Sequence, residues 1–478
     1  MLYECWRKIS TERRNELALR DTASGKQWTF GELFAAGESR NGAPVSGPAS
    51  ANNVAFPQGH SPEFIFDLLT AWRENKIVCP LEAGQGAPSV LASRLASRLA
   101  PSVIHLKSTS ATGGTARFVA FTAEQLRADA ENIVATMGLR SDWPNLGVIS
   151  MAHSYGFSNL VLPLLLHGIP LILAPAPLPE IIRRAAETAP AITLPAVPAM
   201  WRAWQSASAI PPNVRRAISA GAPLPVNLEQ EVFKASGVKI HNFLGSSECG
   251  GMAYDANETP RADDAFAGSP MQNVTLSLNP DGCLVVRSRA VAETYWPEKS
   301  EALADGIFQT SDLAEIFLTD REPSRLAVCE KQADAGKVSQ VDAEPDAASR
   351  DGSRFVIQVF LRGRAGDQIN IAGRKLSPET VERALLAHPQ VRECLVFGAP
   401  CRDAERTEII VAVVAASATE SELKNFLLQT LPAWQVPREW KFVTSLPANA
   451  RGKVSRVEWR KQWSSERGVE AASRPSRP

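Results

Sequence analysis

The sequence predicts an α/β protein built from two domains, and three observations lead to this prediction. Helical and strand-like patterns alternate along most of the chain, which is typical of a parallel sheet with helices packed against it. The length of 478 residues exceeds that of one ordinary domain. Between Thr319 and Arg354 the alternation stops, and a compact β/α pattern follows.

The N-terminal part of the chain supplies helix and strand patterns in turn. Ser61 to Asn75 is an amphipathic stretch in which Ser61 is placed to cap a helix and Pro62 occupies its first position. The apolar segment from Leu160 to Pro175 is shorter than the ~20 residues of a membrane-spanning helix, and we interpret it as a buried helix followed by a buried strand. Short apolar runs predict further buried strands at 77–80, 103–106, 191–194, 216–219 and 238–242.

The second half of the chain divides into segments of different composition. Residues 1–362 are expected to form the large domain, interrupted at 321–355 by an exposed, flexible insertion that is rich in Ala, Asp and Ser. Residues 363–463 have enough apolar residues for a core of their own and predict a small domain. The tail 464–478 lacks core-forming residues and is expected to be disordered.

Composition narrows the function class. Lys+Arg and Asp+Glu both number 51, so the net charge of zero favours neither a nucleic-acid partner nor a charged membrane surface. The seven cysteines form no CxxC pair, which favours reduced thiols over a disulfide framework or a zinc site. The charged N-terminus lacks the apolar stretch of a signal peptide, and we expect a cytoplasmic protein without a membrane span.

Two segments in the first 300 residues have the composition of phosphate sites. Ser108 to Val119 (STSATGGTARFV) combines hydroxyl side chains, glycines and a final arginine, although such a run also occurs in plain flexible loops. Asn242 to Gly251 (NFLGSSECGG) places Glu248 after a predicted parallel strand, where it can hold magnesium. The alternative is that Glu248 stands in the first turn of a helix.

Three later segments complete the series. Phe308 to Leu313 (FQTSDL) contains Asp312, which can accept hydrogen bonds from ribose hydroxyls or can be a turn or cap residue. Leu361 to Glu382 reads LRGRAGDQINIAGRKLSPETVE. Leu446 to Arg456 reads LPANARGKVSR and presents Lys453 after a glycine, although a solvated lysine is the ordinary expectation for a basic loop.

The order of these five segments resembles that of the acyl- and aryl-CoA synthetases of the AMP-binding, adenylate-forming superfamily. Trp28 to Leu33 (WTFGEL), the segment 52–81 and Ser219 to Leu224 (SAGAPL) extend the resemblance over nearly the whole chain. The resemblance implies a large N-terminal domain of wound mixed sheets with helices and a small, mobile C-terminal α+β domain. It also implies the substrates and cofactors ATP, Mg²⁺ and coenzyme A or a carrier-protein phosphopantetheine.

The resemblance also implies roles for individual residues. Catalytic roles fall on Lys453, which bridges the substrate carboxylate and the α-phosphate, on the magnesium ligand Glu248 and on His153 beside the acid. The positions that line the thiol tunnel in this family correspond to Ile371, Ala372 and Gly373. Those of the hinge correspond to Arg364, Gly366 and Asp367. ATP and AMP contacts fall on Thr109, Ser110, Thr112, Gly113, Gly114, Arg117, Gly221, Ala222, Pro223, Phe243, Leu244, Gly245, Ser246, Ser247, Asp312 and Arg364.

The implied reaction has two steps in one site. A carboxylate attacks the α-phosphate of ATP, and cations near the developing charge lower the barrier. In this family the small domain then rotates near Arg364, so that Lys453 leaves and the hairpin at 369–373 approaches the pantetheine thiol.

The chain departs from the family pattern at a few positions. The usual lysine at the end of the phosphate loop is Arg117, which keeps the charge but changes its geometry. Its proline neighbour is Ala116, and an inner glycine is Ala111. A glycine, Gly366, stands at the pivot, and Asn370 replaces a usual lysine.

Several questions stay open at this point. The acceptor can be CoA or a carrier protein, and a nucleotide-binding protein without catalysis is a third hypothesis. The acid is expected to bind between His153 and Met252, and aromatic and medium-chain acids both suit. Candidates for the pocket wall, each of which can equally be a core residue, are Tyr155, Phe157, Met200, Trp201, Trp204 and Met252.

Overall fold

A computed structural model describes residues 2–39, 53–92, 99–108, 117–320, 355–371, 374–400, 408–446 and 455–466. The predicted insertion, apart from position 355, and the predicted tail, apart from 464–466, lie outside the described residues.

Helix α3 (Pro62–Arg73) follows the predicted amphipathic stretch at 61–75. Between α6 and α7, residues Phe157–Val161 form a π-helical stretch, and 3₁₀ turns occur at Ala365–Asp367 and Ala433–Gln435. The α-helices are α1 Leu2–Glu12, α2 Phe30–Ser39, α3 Pro62–Arg73, α4 Ser89–Ala92, α5 Ala123–Met137, α6 Ser154–Gly156, α7 Leu162–His167, α8 Pro179–Ala186, α9 Pro198–Ser206, α10 Val226–Ser236, α11 Pro378–Leu386, α12 Glu420–Thr430 and α13 Arg456–Glu466.

The strands are mostly short, as expected for an α/β protein. They are β1 Leu17–Asp21, β2 Gln27–Thr29, β3 Val54–Ala55, β4 Ile77–Val78, β5 Val103–Ser108, β6 Phe118–Thr122, β7 Asn145–Gly147, β8 Leu171–Leu173, β9 Ile192–Ala196, β10 Val214–Ser219, β11 Ile240–Ser246, β12 Gly250–Tyr254, β13 Phe266–Pro270, β14 Thr275–Leu278, β15 Cys283–Arg287, β16 Thr294–Trp296, β17 Leu303–Ala304, β18 Ile307–Asp320, β19 Phe355–Arg364, β20 Ile369–Ile371, β21 Arg374–Leu376, β22 Val391–Pro400, β23 Glu408–Ala416 and β24 Glu439–Phe442.

The chain divides into two compact units. The larger comprises residues 1–279, 285–310 and 316–359, and the smaller comprises 280–284, 311–315 and 360–478. The division passes through strands β15, β18 and β19, each of which contributes residues to both units.

The sheets are wound and mixed. Strands β1, β8, β7, β9, β10 and β11 follow one another as parallel neighbours, and β12 and β13 continue this sheet antiparallel. A second sheet has the order β16-β6-β5-β4-β3, with β5 and β6 antiparallel. The parallel sheet with helices between its strands confirms the predicted fold class.

The predicted elements were located to within a few residues. Helix α3 begins at Pro62 after an extended Ser61, although the Ser61 side chain makes no capping hydrogen bond. Its buried side chains fill nearly its whole length, because it lies inside the larger unit. The segment from Leu160 to Pro175 contains α7 and the buried strand β8, as predicted. Among the described residues, the structure contains no helix with the length and hydropathy needed to cross a membrane.

The smaller unit has apolar side chains on both faces of the β22–β23 pair. Val396, Ile410 and Val414 belong to a cluster that also contains side chains of α11 and α12. Leu395, Phe397 and Val411 belong to another cluster, which contains Trp459 and Trp463 of α13. The alternation of adjacent residues between two cores is what the two-residue repeat of a β-strand requires.

A buried ionic network supports the parallel sheet of the larger unit. The Glu229 carboxylate, which is 0% exposed, contacts Lys239 Nζ at 2.6 Å and Arg261 Nε at 2.7 Å. Lys239 Nζ also donates to Asp255 Oδ2 at 2.7 Å, and Arg261 Nη2 donates to the carbonyl oxygen of Leu224 at 2.6 Å. Buried charges are tolerated when they are paired in this way, and loss of one partner is costly.

We therefore expect Glu229→Ala to destabilise the larger unit by about 3–5 kcal/mol, because Lys239 and Arg261 would lose a buried counter-charge. Differential scanning calorimetry measures the change. Glu180→Ala, which removes exposed ion pairs with Arg183 and Arg184, serves as the control and should change stability by less than about 1 kcal/mol. Equal shifts for both variants would contradict the prediction.

His241, which contacts the backbone of Asp255 in this network, makes the stability of the larger unit depend on pH. Burial lowers the pKa of His241 to about 4, and its ring nitrogens contact the Asp255 carbonyl oxygen and Arg216. The pKa of His241 is lower in the folded protein than in the unfolded chain, so between pH 6.5 and pH 4 the unfolded chain binds more protons. The free energy of unfolding therefore has its full contribution from neutral His241 above about pH 6.5. It decreases as the pH falls from there toward 4, by at most about 1.4 kcal/mol per pH unit.

We expect His241→Gln to reduce the loss of stability between pH 6.5 and pH 5 relative to wild type. The measurement is the thermal midpoint of both proteins at half-unit pH intervals. A difference between the two midpoints that stays constant over this range would contradict the assignment.

Candidate active site

Glu248 lies in the turn of a β-hairpin. Strand β11 ends at Ser246 and pairs with β12 in an antiparallel register that places Ser246 opposite Gly250. The alternative position for Glu248, in the first turn of a helix, is therefore wrong. Strand β11 is also a parallel neighbour of β10, so the turn follows the carboxyl end of a parallel strand, as predicted.

Residues far away in the sequence hold Glu248 in place. The Tyr295 hydroxyl donates to Glu248 Oε1 at 3.1 Å, and the Ala292 amide donates to the Glu248 carbonyl oxygen at 2.9 Å. The Glu248 amide donates to Ser246 Oγ at 3.2 Å. Both the carboxylate and the backbone of the turn are thereby fixed.

Asp129, on α5, holds the strand that leaves this turn. Its Oδ1 accepts from the Gly251 amide at 3.2 Å, and its Oδ2 accepts from Ser158 Oγ at 2.6 Å. Gly250 has a φ of +68°, and a Cβ added there would come within 1.9 Å of Asp129 Oδ1. Glycine at 250 is therefore required both by the backbone conformation and by the close approach of the carboxylate.

Lys107 is a buried cation beside Asp129. It lies on β5 directly before the predicted phosphate loop, its side chain is 4% exposed, and its Nζ is 3.9 Å from Asp129 Oδ2. The same nitrogen contacts Ser158 Oγ at 3.4 Å and lies 4.4 Å from the centre of the Phe121 ring. Burial lowers the pKa of Lys107, and the negative charge of Asp129 opposes this shift.

His105 lies on the same face of β5 as Lys107. Its ring is fully buried, 4.3 Å from the Phe157 ring, and within the described part of the chain neither ring nitrogen has a hydrogen-bond partner. Burial and the nearby charge of Lys107 hold the pKa of His105 well below its usual value. His105 thus interrupts the apolar strand predicted at 103–106, and β5 extends beyond that prediction to include Lys107.

Arg117 is the first described residue after the phosphate loop, and it stands beside Tyr295. Its guanidinium carbon lies 3.6 Å from the centre of the Tyr295 ring. The other predicted residues of this loop, Thr109, Ser110, Thr112, Gly113 and Gly114, lie outside the described residues.

His153 forms a polar group with two other side chains. Its Nε2 is 3.0 Å from Glu82 Oε1, which also accepts from the hydroxyl of Ser150. Ser154, the next residue, donates from its Oγ to Ser247 Oγ at 3.0 Å. The residue after His153 thus contacts the residue before Glu248.

The predicted adenine-contacting residues lie after β10 and within its parallel neighbour β11. Gly221, with a φ of +85°, Ala222 and Pro223 follow β10, and Phe243, Leu244 and Gly245 lie in β11. In the register of the two strands, Ser219 lies opposite Asn242. The two sets therefore occur at the same edge of the sheet, where such sheets bind ligands.

The candidate pocket-wall residues behave differently from one another. Trp201 and Trp204 are 0% exposed, pack edge to face at 5.1 Å, and donate their indole N–H groups to backbone carbonyl oxygens. This is the environment of core side chains. Tyr155, in contrast, packs 6.0 Å from Phe243, and its hydroxyl lies 3.3 Å from two backbone carbonyl oxygens at the ends of β9 and β10.

The smaller unit contains the predicted ribose and hinge residues. Arg364 Nε is 3.0 Å from Asp312 Oδ1, so these two side chains lie together. Gly366 and Asp367 belong to the 3₁₀ turn that follows, and Asp367 Oδ2 accepts from Arg456 Nη1 at 3.0 Å.

Ile371 ends β20, one arm of an antiparallel hairpin with β21. The role of Ile371 in a thiol tunnel stays a prediction. Ala372, Gly373 and Lys453 lie outside the described residues.

The Glu248 carboxylate is the kind of ligand that magnesium uses together with waters and substrate phosphates. The described residues include no cluster of three or more His, Cys, Asp or Glu side chains that could hold a metal ion. Mg²⁺ is commonly bound by one or two carboxylates together with waters and substrate phosphates. Glu248 uses one oxygen to accept from Tyr295, and within the described part of the chain Oε2 accepts no hydrogen bond.

Sequence reasoning missed several members of this site. Tyr295, Asp129 and Glu82 have no local pattern that marks them, because their partners are distant in the chain. Lys107 and His105 did have a signal, since charged and polar residues are rare in fully buried strands.

Comparison with known proteins identifies the family. Residues 96–296 match the family described as AMP-binding enzyme, and residues 380–453 match the AMP-binding enzyme C-terminal domain. The first match contains the phosphate loop and Glu248, and the second contains Lys453.

Curated relatives are ligases. An uncharacterized acyl–CoA ligase, YhfT, of Bacillus subtilis is 27% identical over 55% of this chain and 49% of its own length. A 2-succinylbenzoate–CoA ligase of Bacillus cytotoxicus is 25% identical over 74% of this chain and 68% of its own. A fatty acid–[acyl-carrier-protein] ligase, ScoC, of Streptomyces coeruleorubidus is 27% identical over 52% and 44%. The chain spans about half the length of the first and third of these relatives.

The fold agrees with that of a solved structure over its full length. ATP-bound MatB from Rhodopseudomonas palustris superimposes with a TM-score of 0.75 at 19% identity, covering 98% of this chain and 100% of that one. At this identity the likeness concerns the fold. The two family matches and the shared fold together show that the chain belongs to the AMP-binding, adenylate-forming superfamily.

Proposed function

We propose that the protein activates a carboxylic acid with ATP to an acyl-adenylate and transfers the acyl group to the thiol of coenzyme A. AMP and pyrophosphate are the other products. The chain is, in this proposal, an AMP-forming acid–thiol ligase.

The observation that carries the proposal is the meeting of Glu248 and Arg117 at Tyr295. A carboxylate suited to a magnesium ion and a guanidinium suited to phosphate contact the same side chain, after the loop predicted to bind phosphates. The arginine suits the negative phosphates of a nucleoside triphosphate, and the carboxylate suits the divalent cation that is bound with them.

The chemistry requires this arrangement because attack of a carboxylate on the α-phosphate brings two negative groups together. Bound magnesium would neutralise phosphate charge at Glu248. Arg117 and Ser247 contact phosphate oxygens, and Lys453 stabilises the charge that develops between the carboxylate and the α-phosphate. The resulting mixed anhydride keeps the acyl group activated after pyrophosphate leaves.

The remaining predicted contacts orient the nucleotide and the thiol. Gly221, Ala222 and Pro223 contact adenine, while Asp312 accepts hydrogen bonds from ribose hydroxyls beside Arg364. In the second step the hairpin with Ile371, Ala372 and Gly373 binds the pantetheine arm.

The acid is proposed to bind beside His153 and to be an aryl or medium-chain acyl acid. Tyr155, a predicted wall residue two positions after His153, presents an aromatic ring that suits an apolar acyl group, and it packs against Phe243 of the predicted adenine site. The relationship to a 2-succinylbenzoate–CoA ligase supports an aromatic acid, although that substrate belongs to the relative.

A carrier protein is the second candidate acceptor. The relationship to ScoC, whose acceptor is an acyl carrier protein, favours it. CoA and a carrier protein present the same phosphopantetheine thiol, so both use the same hairpin.

The first step is tested by exchange of labelled pyrophosphate into ATP across a panel of aryl and medium-chain acids. We expect Lys453→Ala and Glu248→Gln each to lower exchange by roughly 10²–10³, because each removes a charge that acts at the reacting phosphates. Glu124→Gln, which changes an exposed carboxylate paired with Arg289, is the control and should retain wild-type exchange. Undiminished exchange in Lys453→Ala would refute the assignment.

The acceptor is tested by offering CoA or a phosphopantetheinylated carrier protein to enzyme that has already formed the adenylate. We expect AMP release and a thioester with CoA. Full adenylation without any CoA thioester, together with acylation of the carrier protein, would establish the second candidate instead.

A further inference from the structure

Tyr295 contacts both Arg117, at the end of the predicted phosphate loop, and Glu248. Strand β16 pairs antiparallel with β6, and Tyr295 lies opposite Val119 in this register. Arg117 directly precedes β6, and its guanidinium lies over the Tyr295 ring at 3.6 Å from the centre. The strand pairing therefore fixes the ring next to the end of the phosphate loop.

The segment that leads into β16 binds the turn as well. The Ala292 amide donates to the Glu248 carbonyl oxygen at 2.9 Å, and the next amide, of Glu293, donates to the Ala120 carbonyl oxygen at 2.9 Å. Two consecutive amides thus connect the Glu248 turn to β6. The Tyr295 hydroxyl adds its 3.1 Å hydrogen bond to Glu248 Oε1.

The hydroxyl is well suited to donate this hydrogen bond. A phenol carries its proton at neutral pH and an ionised carboxylate can only accept, so Tyr295 is the donor and Glu248 the acceptor.

We propose that Tyr295 is a positioning residue that couples the two charges serving the nucleotide phosphates. Its ring holds the guanidinium of Arg117, and its hydroxyl holds the carboxylate of Glu248. The inference rests on the proposed function, in which Glu248 serves the metal and Arg117 the phosphates.

The arginine at position 117 is part of this coupling. A planar guanidinium stacks on an aromatic face, whereas an ammonium is a compact, strongly hydrated charge on a flexible chain. Lysine at 117 would keep the charge but would lose the stacking that places it. Arg117 and Tyr295 should therefore behave as one functional pair.

The test measures binding of a non-hydrolysable ATP analogue by calorimetry, with Mg²⁺ varied and with the metal removed by EDTA. Tyr295→Phe keeps the ring and loses the hydroxyl, so it should weaken Mg²⁺-dependent binding about tenfold and leave metal-free binding within about twofold. Tyr295→Leu also loses the ring, so it should lower metal-free binding about threefold in addition.

Arg117→Lys extends the test to the pair. In the wild-type background it should weaken metal-free binding, but in the Tyr295→Leu background it should have little further effect, because the stacking partner is already absent. Fully additive effects of the two substitutions would overturn the coupling.

Tyr3→Phe is the matched control. Tyr3 on α1 donates its hydroxyl to the Glu38 carboxylate, so the variant removes the same kind of hydrogen bond away from the proposed site. It should bind the analogue as wild type does at every Mg²⁺ concentration.

Tyr295→Phe that matches wild type at every Mg²⁺ concentration, or that loses equal affinity with and without Mg²⁺, would overturn the inference. The proposed function is tested separately: it fails if the wild-type protein exchanges no pyrophosphate with any acid. The binding measurement decides the role of Tyr295 in either case.

Discussion

The position of the Glu248 carboxylate is the constraint on which the site depends. Two separate sets of contacts fix its turn: Asp129 binds the Gly251 amide, and Tyr295 and Ala292 bind Glu248 itself. Because Lys+Arg and Asp+Glu both number 51, the net charge of the chain gives no overall attraction for a nucleotide. In the proposed function, the charges of ATP and of a bound metal would be met by a few groups whose geometry is fixed in advance, and a short β-hairpin between two anchors supplies that geometry.

Asp129 has a second role that connects this turn to the phosphate loop. A buried ammonium such as that of Lys107 is costly unless an opposite charge accompanies it, and Asp129 is that charge. One carboxylate therefore stabilises the last residues of β5, which lead into the phosphate loop, and also the strand that leaves the Glu248 turn. A displacement of either segment would weaken the contacts of the other, so the end of β5 and the strand after the Glu248 turn are held in one arrangement.

The sequence predicted what depends on local pattern and missed what depends on distant pairing. The apolar runs located β9, β10 and β11 to within a few residues, because burial and the strand repeat are local properties. The order of the motifs identified the family, and Asp312 and Arg364 do lie together. The contact of Glu248 with Tyr295 spans 47 residues and depends on the register of β6 with β16. The contact of Asp129 with Gly251 spans 122 residues and depends on the position of α5. No periodicity or motif could have shown them.

In the smaller unit, Arg456 also joins segments that are distant in the sequence. Its guanidinium contacts Asp367 at 3.0 Å, Glu379 at 2.9 Å and Glu382 at 2.6 Å, because a planar fork can satisfy several carboxylates at once. These contacts fix the 3₁₀ turn, helix α11 and the start of α13 to one another. Lys453 stands three residues before this anchor, and Gly366 directly precedes the anchored Asp367. Of the predicted hinge residues, Asp367 is therefore bound to α11 and α13 through Arg456, whereas Gly366 has the less restricted backbone of a glycine.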